Sequence, residues 1–294
     1  MEIAILGHEN PDVDSLLSGY LLAKYMKNEF GDTFKYVIPD KNIDEESLGI
    51  ISKLGIDISR FCSNSVGSND KLFLVDHNVE NRFNNEVIGI IDHHPVIEQT
   101  DQSKKADFYI NQFACSTTTI IAQMFDIKDR NDFIIALVGA LVDTASFNST
   151  KTNFEQVEWL KKRCLELDVD FDKYYDIGLC LTDLSDLNKK FLNGLKKYNI
   201  EGNNVESSYI QIKGFEQNSS KINQLIELID KYRLLNGIDY FVFIVHDMDC
   251  FKTTTYTLSN DGVSIDNYDS YTSRGNVIIP RLKEYLLNKK TKKC

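Results

Sequence analysis

Four of the chain's five histidines fall in three short stretches rich in aspartate. These are Gly7-His8-Glu9-Asn10-Pro11-Asp12-Val13-Asp14, Asp76-His77-Asn78 and Asp92-His93-His94, and Asp143 later closes the apolar run Ile134 to Val142. Asp12 or Asp14 alone reads as a helix cap, and a single histidine as an ordinary partly buried side chain. Taken together they put several carboxylates in one place, where like charge would repel and raise some of the pKa values unless a cation shared it. Carboxylate and imidazole without thiolate suit a borderline-to-hard divalent ion, Mn²⁺ ahead of Zn²⁺, with Mg²⁺ able to join through substrate phosphates. Six ligands exceed one open catalytic site and suit two ions bridged by a carboxylate. Such pairs sit roughly 3.5–4 Å apart, clamp a phosphoryl group and lower the pKa of a shared water.

Positioning these residues requires that distant segments meet at strand ends. Glu2–Gly7, Lys35–Pro39, Lys71–Asp76 and Glu86–Asp92 read as buried strands rich in β-branched residues. Between them, Ser15–Phe30 and Asp44–Gly55 space apolar residues as amphipathic helices do, with Asp44 as N-cap and Gly55 as stop. Two more helices, over Ser116–Phe125 and Asp132–Asp143, cover the sheet. This alternation predicts an α/β fold with a mostly parallel sheet flanked by helices, whose ligands gather at the strands' carboxyl ends. From Asn153 to Asn199 the pattern reads as helical and more charged. Strand signals return at Ser207–Gly214, Asp239–Asp247 and Cys250–Ser259, and a last helix starts near Pro280. The expected division is a domain over 1–186 and a smaller α/β domain over 191–294, with Leu184–Lys190 as hinge and the active site in the cleft between them.

At 294 residues the chain has room for two domains, and its 42% hydrophobic content supplies packed cores. The net charge of −11 argues against general binding to nucleic acid or anionic membranes, yet bound cations can invert the local field for a small anionic substrate. The six cysteines are scattered without a C-x-x-C pair, so no disulfide framework or zinc knuckle is expected. With no leader-like N-terminus and no run approaching ~18 apolar residues, the expected compartment is the cytoplasm. No G-x-x-x-x-G-K phosphate loop is present. The cluster His246-Asp247-Met248-Asp249 reads as a solvated strand end.

The stretches GHENPDVDS, VDHN, IDHH, CSTTT and LVDTASFNST, in this order, resemble the DHH phosphoesterase superfamily, and within it the manganese-dependent family II inorganic pyrophosphatases. The resemblance covers nearly the whole chain and implies a DHH domain followed by a DHHA2-like substrate domain. It implies His8 and Asp12 on one Mn²⁺, Asp14, His93 and Asp143 on a second, and Asp76 bridging them. A hydroxide between the two ions would attack phosphorus in line. His94 would face the substrate, and His77 would support Asp76. It further implies a homodimer formed through the first-domain sheet, and no nucleic-acid partner, because the triple-glycine segment of nucleic-acid-cleaving relatives is absent.

Electrostatic stabilisation dominates phosphoryl transfer, so the second domain should bring cations to the departing phosphate. The resemblance assigns that task to Lys196, which is followed by Lys197, and to Arg274. Family pyrophosphatases carry a lysine directly after this arginine, whereas this chain has Gly275. Losing that charge would remove ~2–4 kcal/mol of transition-state stabilisation, by analogy with losing one oxyanion donor. Three readings follow: hydrolysis of pyrophosphate, a related phosphohydrolase such as a short-chain exopolyphosphatase, or a catalytically weak metal-binding homologue.

Overall fold

The first sheet forms because its central strands, apolar on both faces, can be buried only between helix layers. The computed structural model describes residues 2–31, 33–39, 43, 45–57, 62, 63, 65–95 and 101–291. The chain divides into two units, Met1–Phe147 with Lys151–Gly178, and Asn148–Thr150 with Leu179–Cys294.

In the first unit, β1 (Ile3–Leu6), β2 (Phe34–Val37), β3 (Cys62–Ser63), β4 (Lys71–Val75), β5 (Val87–Asp92) and β6 (Phe108–Asn111) align in the order β3-β2-β1-β4-β5-β6. Every neighbouring pair is parallel. Ile5, Leu6, Leu72, Leu74, Ile90 and Ile91 are wholly buried, which is why these strands read as continuous apolar runs. The strand order reverses between β1 and β4, and at such a switch point the carboxyl ends splay apart and leave a crevice. β1 delivers Gly7-His8 to that crevice and β4 delivers Asp76.

The helices of this unit are α1 (Val13–Phe30), α2 (Glu45–Lys53), α3 (Asp101–Lys105), α4 (Thr117–Met124), α5 (Arg130–Asp143), α6 (Phe154–Glu166) and α7 (Phe171–Tyr175). α1, α4 and α5 pack on one another; α1 and α4 bury every side chain of their first turns, and α5 is buried from Asp132 to Leu141. Asp44, expected to cap α2, lies outside the described residues, whereas Gly55 ends that helix with φ 70°.

In the second unit a short α8 (Leu187–Lys190) precedes β7 (Lys196–Ile200) and β8 (Asn203–Ile212), followed by α9 (Ser219–Leu235), β9 (Tyr240–Asp247), β10 (Lys252–Ser259), β11 (Gly262–Tyr268) and α10 (Ile279–Thr291). The sheet order is β11-β10-β9-β8-β7, mixed, with β8 and β9 parallel through the α9 crossover. Leu225 and Ile229 of α9 pack against Ile210, Phe241, Phe243 and Val245, while Ile278 and Leu282 cover Val242 and Ile244 on the other face.

The helical reading of residues up to Asn199 is corrected here. Lys196–Ile200 is a strand, because Glu201 and Gly202 both take positive φ (54° and 80°) and fold β7 back on β8 in a two-residue hairpin. β11 was not expected from sequence, since an edge strand carrying Ser264, Asp266 and Asn267 has no apolar run to reveal it.

Candidate metal centre

Asp12 caps α1, its Oδ1 accepting from the Ser15 amide at 3.1 Å, which leaves Oδ2 3.5 Å from His8 Nε2. The His8 amide donates to Ser15 Oγ at 3.1 Å, and its Nδ1–H donates to the Glu9 carbonyl at 2.8 Å, turning Nε2 toward the carboxylates. Asp14, in the first turn of α1, is buried and reaches the N-terminus of α4. The amides of Thr117 and Thr118 donate to its two oxygens at 2.7 and 3.0 Å. Ser116 caps that same helix end.

Asp76 lies between two groups. Its Oδ2 is 3.5 Å from His8 Nε2, and its Oδ1 is 3.3 Å from His93 Nε2. Thr117 Oγ1 also donates to Oδ1, at 3.2 Å. Asp76 sits at the end of β4 with φ 63°, a left-handed conformation that a non-glycine residue holds only when its surroundings enforce it. His93 Nε2 is also 3.3 Å from Asp143 Oδ2 and 3.8 Å from Asp14 Oδ2. Its Nδ1–H donates to the Ala114 carbonyl at 3.2 Å, which fixes the tautomer with Nε2 aimed inward. His8, Asp12, Asp14, Asp76, His93 and Asp143 are thus brought together from three strand ends and two helices.

The donor set fits a pair of divalent cations. Asp76 Oδ2, His93 Nε2 and Asp143 Oδ2 are buried atoms with no hydrogen-bond partner among the described residues, although oppositely disposed groups stand beside them. A buried polar atom left in this state is costly unless something satisfies it. Asp76 belongs at once to a group with His8 and Asp12 and to a group with His93 and His94, each able to hold an ion.

Electrostatics carry the same strain. Burial, then repulsion from Asp76 and Asp143, pushes the Asp14 carboxyl well above its usual range, against the His93 charge and the Thr118 amide. Burial would lower His93, but the carboxylates of Asp143 and Asp76 overcome it and hold the imidazole protonated above its ordinary value. Burial would raise Asp76, yet the imidazoles of His93, His94 and His8 bring it below the ordinary range. A cation would take over the role of these protons, so its binding must release them.

Several further residues stand around the cluster. Asp92, the first residue of Asp-His-His, is wholly buried and accepts from the amides of His93 and His94 at 2.8 and 3.1 Å. It also accepts from His94 Nδ1 at 2.9 Å, which leaves that ring one-third exposed. His77 turns away from Asp76, donating to the Val75 carbonyl at 2.9 Å and facing Glu80 at 3.4 Å. Lys151, whose Nζ lies 2.8 Å from Asp143 Oδ1, was missed because a lysine among Asn148, Ser149, Thr150 and Thr152 looks like a solvated loop.

Comparison with known proteins bears on this arrangement directly. Residues 2–146 match the model of the DHH family, N-terminal domain. These residues belong to the DHH family. The DHH domain contains all six residues of the cluster. Over a longer span the chain is 24% identical to a Listeria innocua protein assigned as a manganese-dependent inorganic pyrophosphatase, across 89% of this chain and 84% of that one. A Bacillus licheniformis protein with the same assignment is 25% identical, across 90% and 85%. Among solved structures, a Methanococcus jannaschii protein assigned to the family II inorganic pyrophosphatases superposes with TM-score 0.76, at 19% identity over 96% of this chain and 98% of that one. That likeness establishes the fold: a parallel sheet in the DHH domain and a second α/β unit after it.

The second unit holds the two expected substrate cations. Arg274 Nη1 donates to the Gly194 carbonyl at 2.6 Å and to Ser207 Oγ at 3.4 Å, with its guanidinium over the Tyr209 ring. Lys196 pairs with Ser207 across the β7–β8 hairpin and so shares that face, whereas Lys197 points to the other face, 3.4 Å from Glu206. Gly275 is exposed, and a Cβ there would meet nothing within 4 Å. His246 is not solvated as expected. It is buried, 2.9 Å from Thr253 Oγ1 and stacked on Tyr271, while the exposed Asp249 accepts from the Gly214 amide at 2.7 Å. Among the described residues, no helix is long and apolar enough to cross a membrane.

Proposed function

We propose that this chain is a metal-dependent hydrolase of phosphoanhydrides, acting on inorganic pyrophosphate with two Mn²⁺ held by the cluster. The observation that carries the reading is Asp76, whose two oxygens face two different imidazoles at 3.5 and 3.3 Å. In this reading Asp76 bridges the ions, His8 and Asp12 complete one ligand set, and Asp14, His93 and Asp143 complete the other. The names of the relatives favour manganese and pyrophosphate, and the donor set suits both. When bound, the two cations would polarise phosphate oxygens and acidify a water for in-line attack.

The chain's own residues then have defined tasks. The Thr117 and Thr118 amides hold Asp14 in place, and the Glu9 and Ala114 carbonyls fix the tautomers of His8 and His93. Asp92 holds His94 by Nδ1 and turns Nε2 outward, where the doubly protonated ring would donate to a phosphate oxygen. Lys196 and Arg274 offer the departing phosphate a point charge and a fork of donors.

Asp76→Asn is expected to lower the Mn²⁺ content of dialysed protein and to reduce phosphate release from pyrophosphate by at least ~10³-fold, a loss of about 4 kcal/mol. Full activity and full metal content in that variant would refute the bridging role. Gly275 favours a second reading, because it leaves open space where the family holds a charged side chain. Faster release from tripolyphosphate than from pyrophosphate would select the polyphosphatase version, and no turnover on either would sink both.

A further inference from the structure

Lys151 returns to the cluster from outside the DHH domain. It lies eight residues beyond Asp143. The intervening backbone holds Ala145, Ser146 and Phe147 in consecutive left-handed conformations, with φ of 49°, 54° and 66°. Such a run costs about 1–2 kcal/mol per residue and persists only where its surroundings enforce it. The Lys151 side chain is four-fifths buried, with Nζ 2.8 Å from Asp143 Oδ1. The other oxygen, Oδ2, stays turned to His93 Nε2 at 3.3 Å with no hydrogen-bond partner among the described residues. The lysine therefore occupies one side of Asp143 and leaves the other side to a cation. The 2.8 Å contact is an ion pair, ammonium against carboxylate.

Charge balance gives this ammonium a use. Asp12, Asp14, Asp76 and Asp143 carry four negative charges, so two divalent cations would leave the cluster neutral. A neutral face attracts a phosphate anion weakly. Lys151 makes the loaded cluster net positive, and an ammonium acts as a point charge toward an anionic oxygen.

We propose that Lys151 is a phosphate-binding residue of this metal centre, donating to an anionic oxygen beside Asp143. The proposal rests on the phosphohydrolase reading above. Its test compares wild type, Lys151→Met and Lys151→Arg by elemental analysis of bound Mn²⁺, thermal unfolding, and calorimetric titration of the Mn²⁺-loaded protein with inorganic phosphate. Lys151→Met is expected to keep its Mn²⁺ and to bind phosphate at least ~10-fold more weakly, the size of one charge-assisted hydrogen bond, with Lys151→Arg recovering most of the affinity. Unchanged phosphate affinity in Lys151→Met would overturn the proposal. So would a parallel loss of Mn²⁺ and phosphate that Lys151→Arg does not restore, since the lysine would then only hold Asp143. If wild type binds phosphate through Lys151 yet releases none from pyrophosphate, the enzymatic reading fails while the binding residue stands. Wild type that takes up Mn²⁺ but binds no phosphate would overturn both.

Discussion

Asp92 shows how much of this centre depends on a residue whose oxygens meet only supporting groups. Besides the two backbone amides and His94 Nδ1, its carboxylate accepts from Asn78 Nδ2 at 2.7 Å and Asn111 Nδ2 at 3.1 Å. Burial would raise this carboxyl, but the His94 hydrogen bond and charge bring it below its ordinary value. Asp92→Asn keeps the shape and replaces one acceptor oxygen by a donor, which then faces donors. We expect pyrophosphate turnover to fall about 10–100-fold, the usual cost of losing a group that orients a ligand, with a smaller effect on Mn²⁺ content. Turnover within twofold of wild type would show that His93 and His94 keep their geometry without it. The types and spacing of His8, Asp12, Asp76 and His93 were legible because metal ligation constrains the identity of every donor. Asp92 was visible within Asp-His-His, although its orienting task was not; Lys151 was missed altogether, because a lysine that folds back from a loop imposes no pattern on the residues beside it.

The helices α4 and α5 carry the site between them, and a glycine sets their distance. α4 presents its positive N-terminal end to Asp14, and α5 ends at Asp143, where the helix dipole disfavours a carboxylate unless a cation offsets it. Gly139 of α5 faces Thr118, and a Cβ there would lie 2.2 Å from Thr118 Oγ1 and 3.0 Å from Cγ2. Thr118 also donates its amide to Asp14, so a wedge between the helices displaces that amide. Gly139→Ala is expected to destabilise the protein by about 1–3 kcal/mol and to weaken Mn²⁺ binding. Gly49→Ala in α2, where a Cβ meets nothing within 4 Å, serves as control and should gain up to ~1 kcal/mol from helix propensity. Urea unfolding and Mn²⁺ titration check both, and a Gly139→Ala protein indistinguishable from wild type would refute the wedge. The buried strands and α4 and α5 could be read from apolar runs, since parallel strands covered on both faces leave no other pattern. β7 and β11 could not: one is exposed and lysine-rich, the other is a polar edge, and only cross-strand pairing makes them strands.

Each unit contains its own lever on stability, one worked by metal and the other by protons. In the second unit, burial and then the Arg274 charge push His246 down to about 3. The unfolded chain takes up that proton near pH 6.5, whereas the folded protein does so only near pH 3. Between those values the unfolded state binds more protons. Stability from this group is therefore constant above about pH 6.5 and falls by ~1.4 kcal/mol per unit as pH drops, about 2 kcal/mol by pH 5. His93 has the opposite sign, since its raised pKa favours the metal-free folded state until pH rises past the ordinary value. The difference between wild type and His246→Gln, both in chelator, isolates His246. In the first unit, Mn²⁺ at 100 times its dissociation constant should add about 2.7 kcal/mol at pH 7.5. Urea unfolding of wild type, His246→Gln, Asp76→Asn and the double variant separates the two. His246→Gln should remove the acid-dependent loss and keep the Mn²⁺ gain, Asp76→Asn should do the reverse, and the double variant should be additive within ~0.5 kcal/mol. If His246→Gln abolished the Mn²⁺ gain, the metal would be stabilising the second unit as well, and the assignment of one lever to each core would fail.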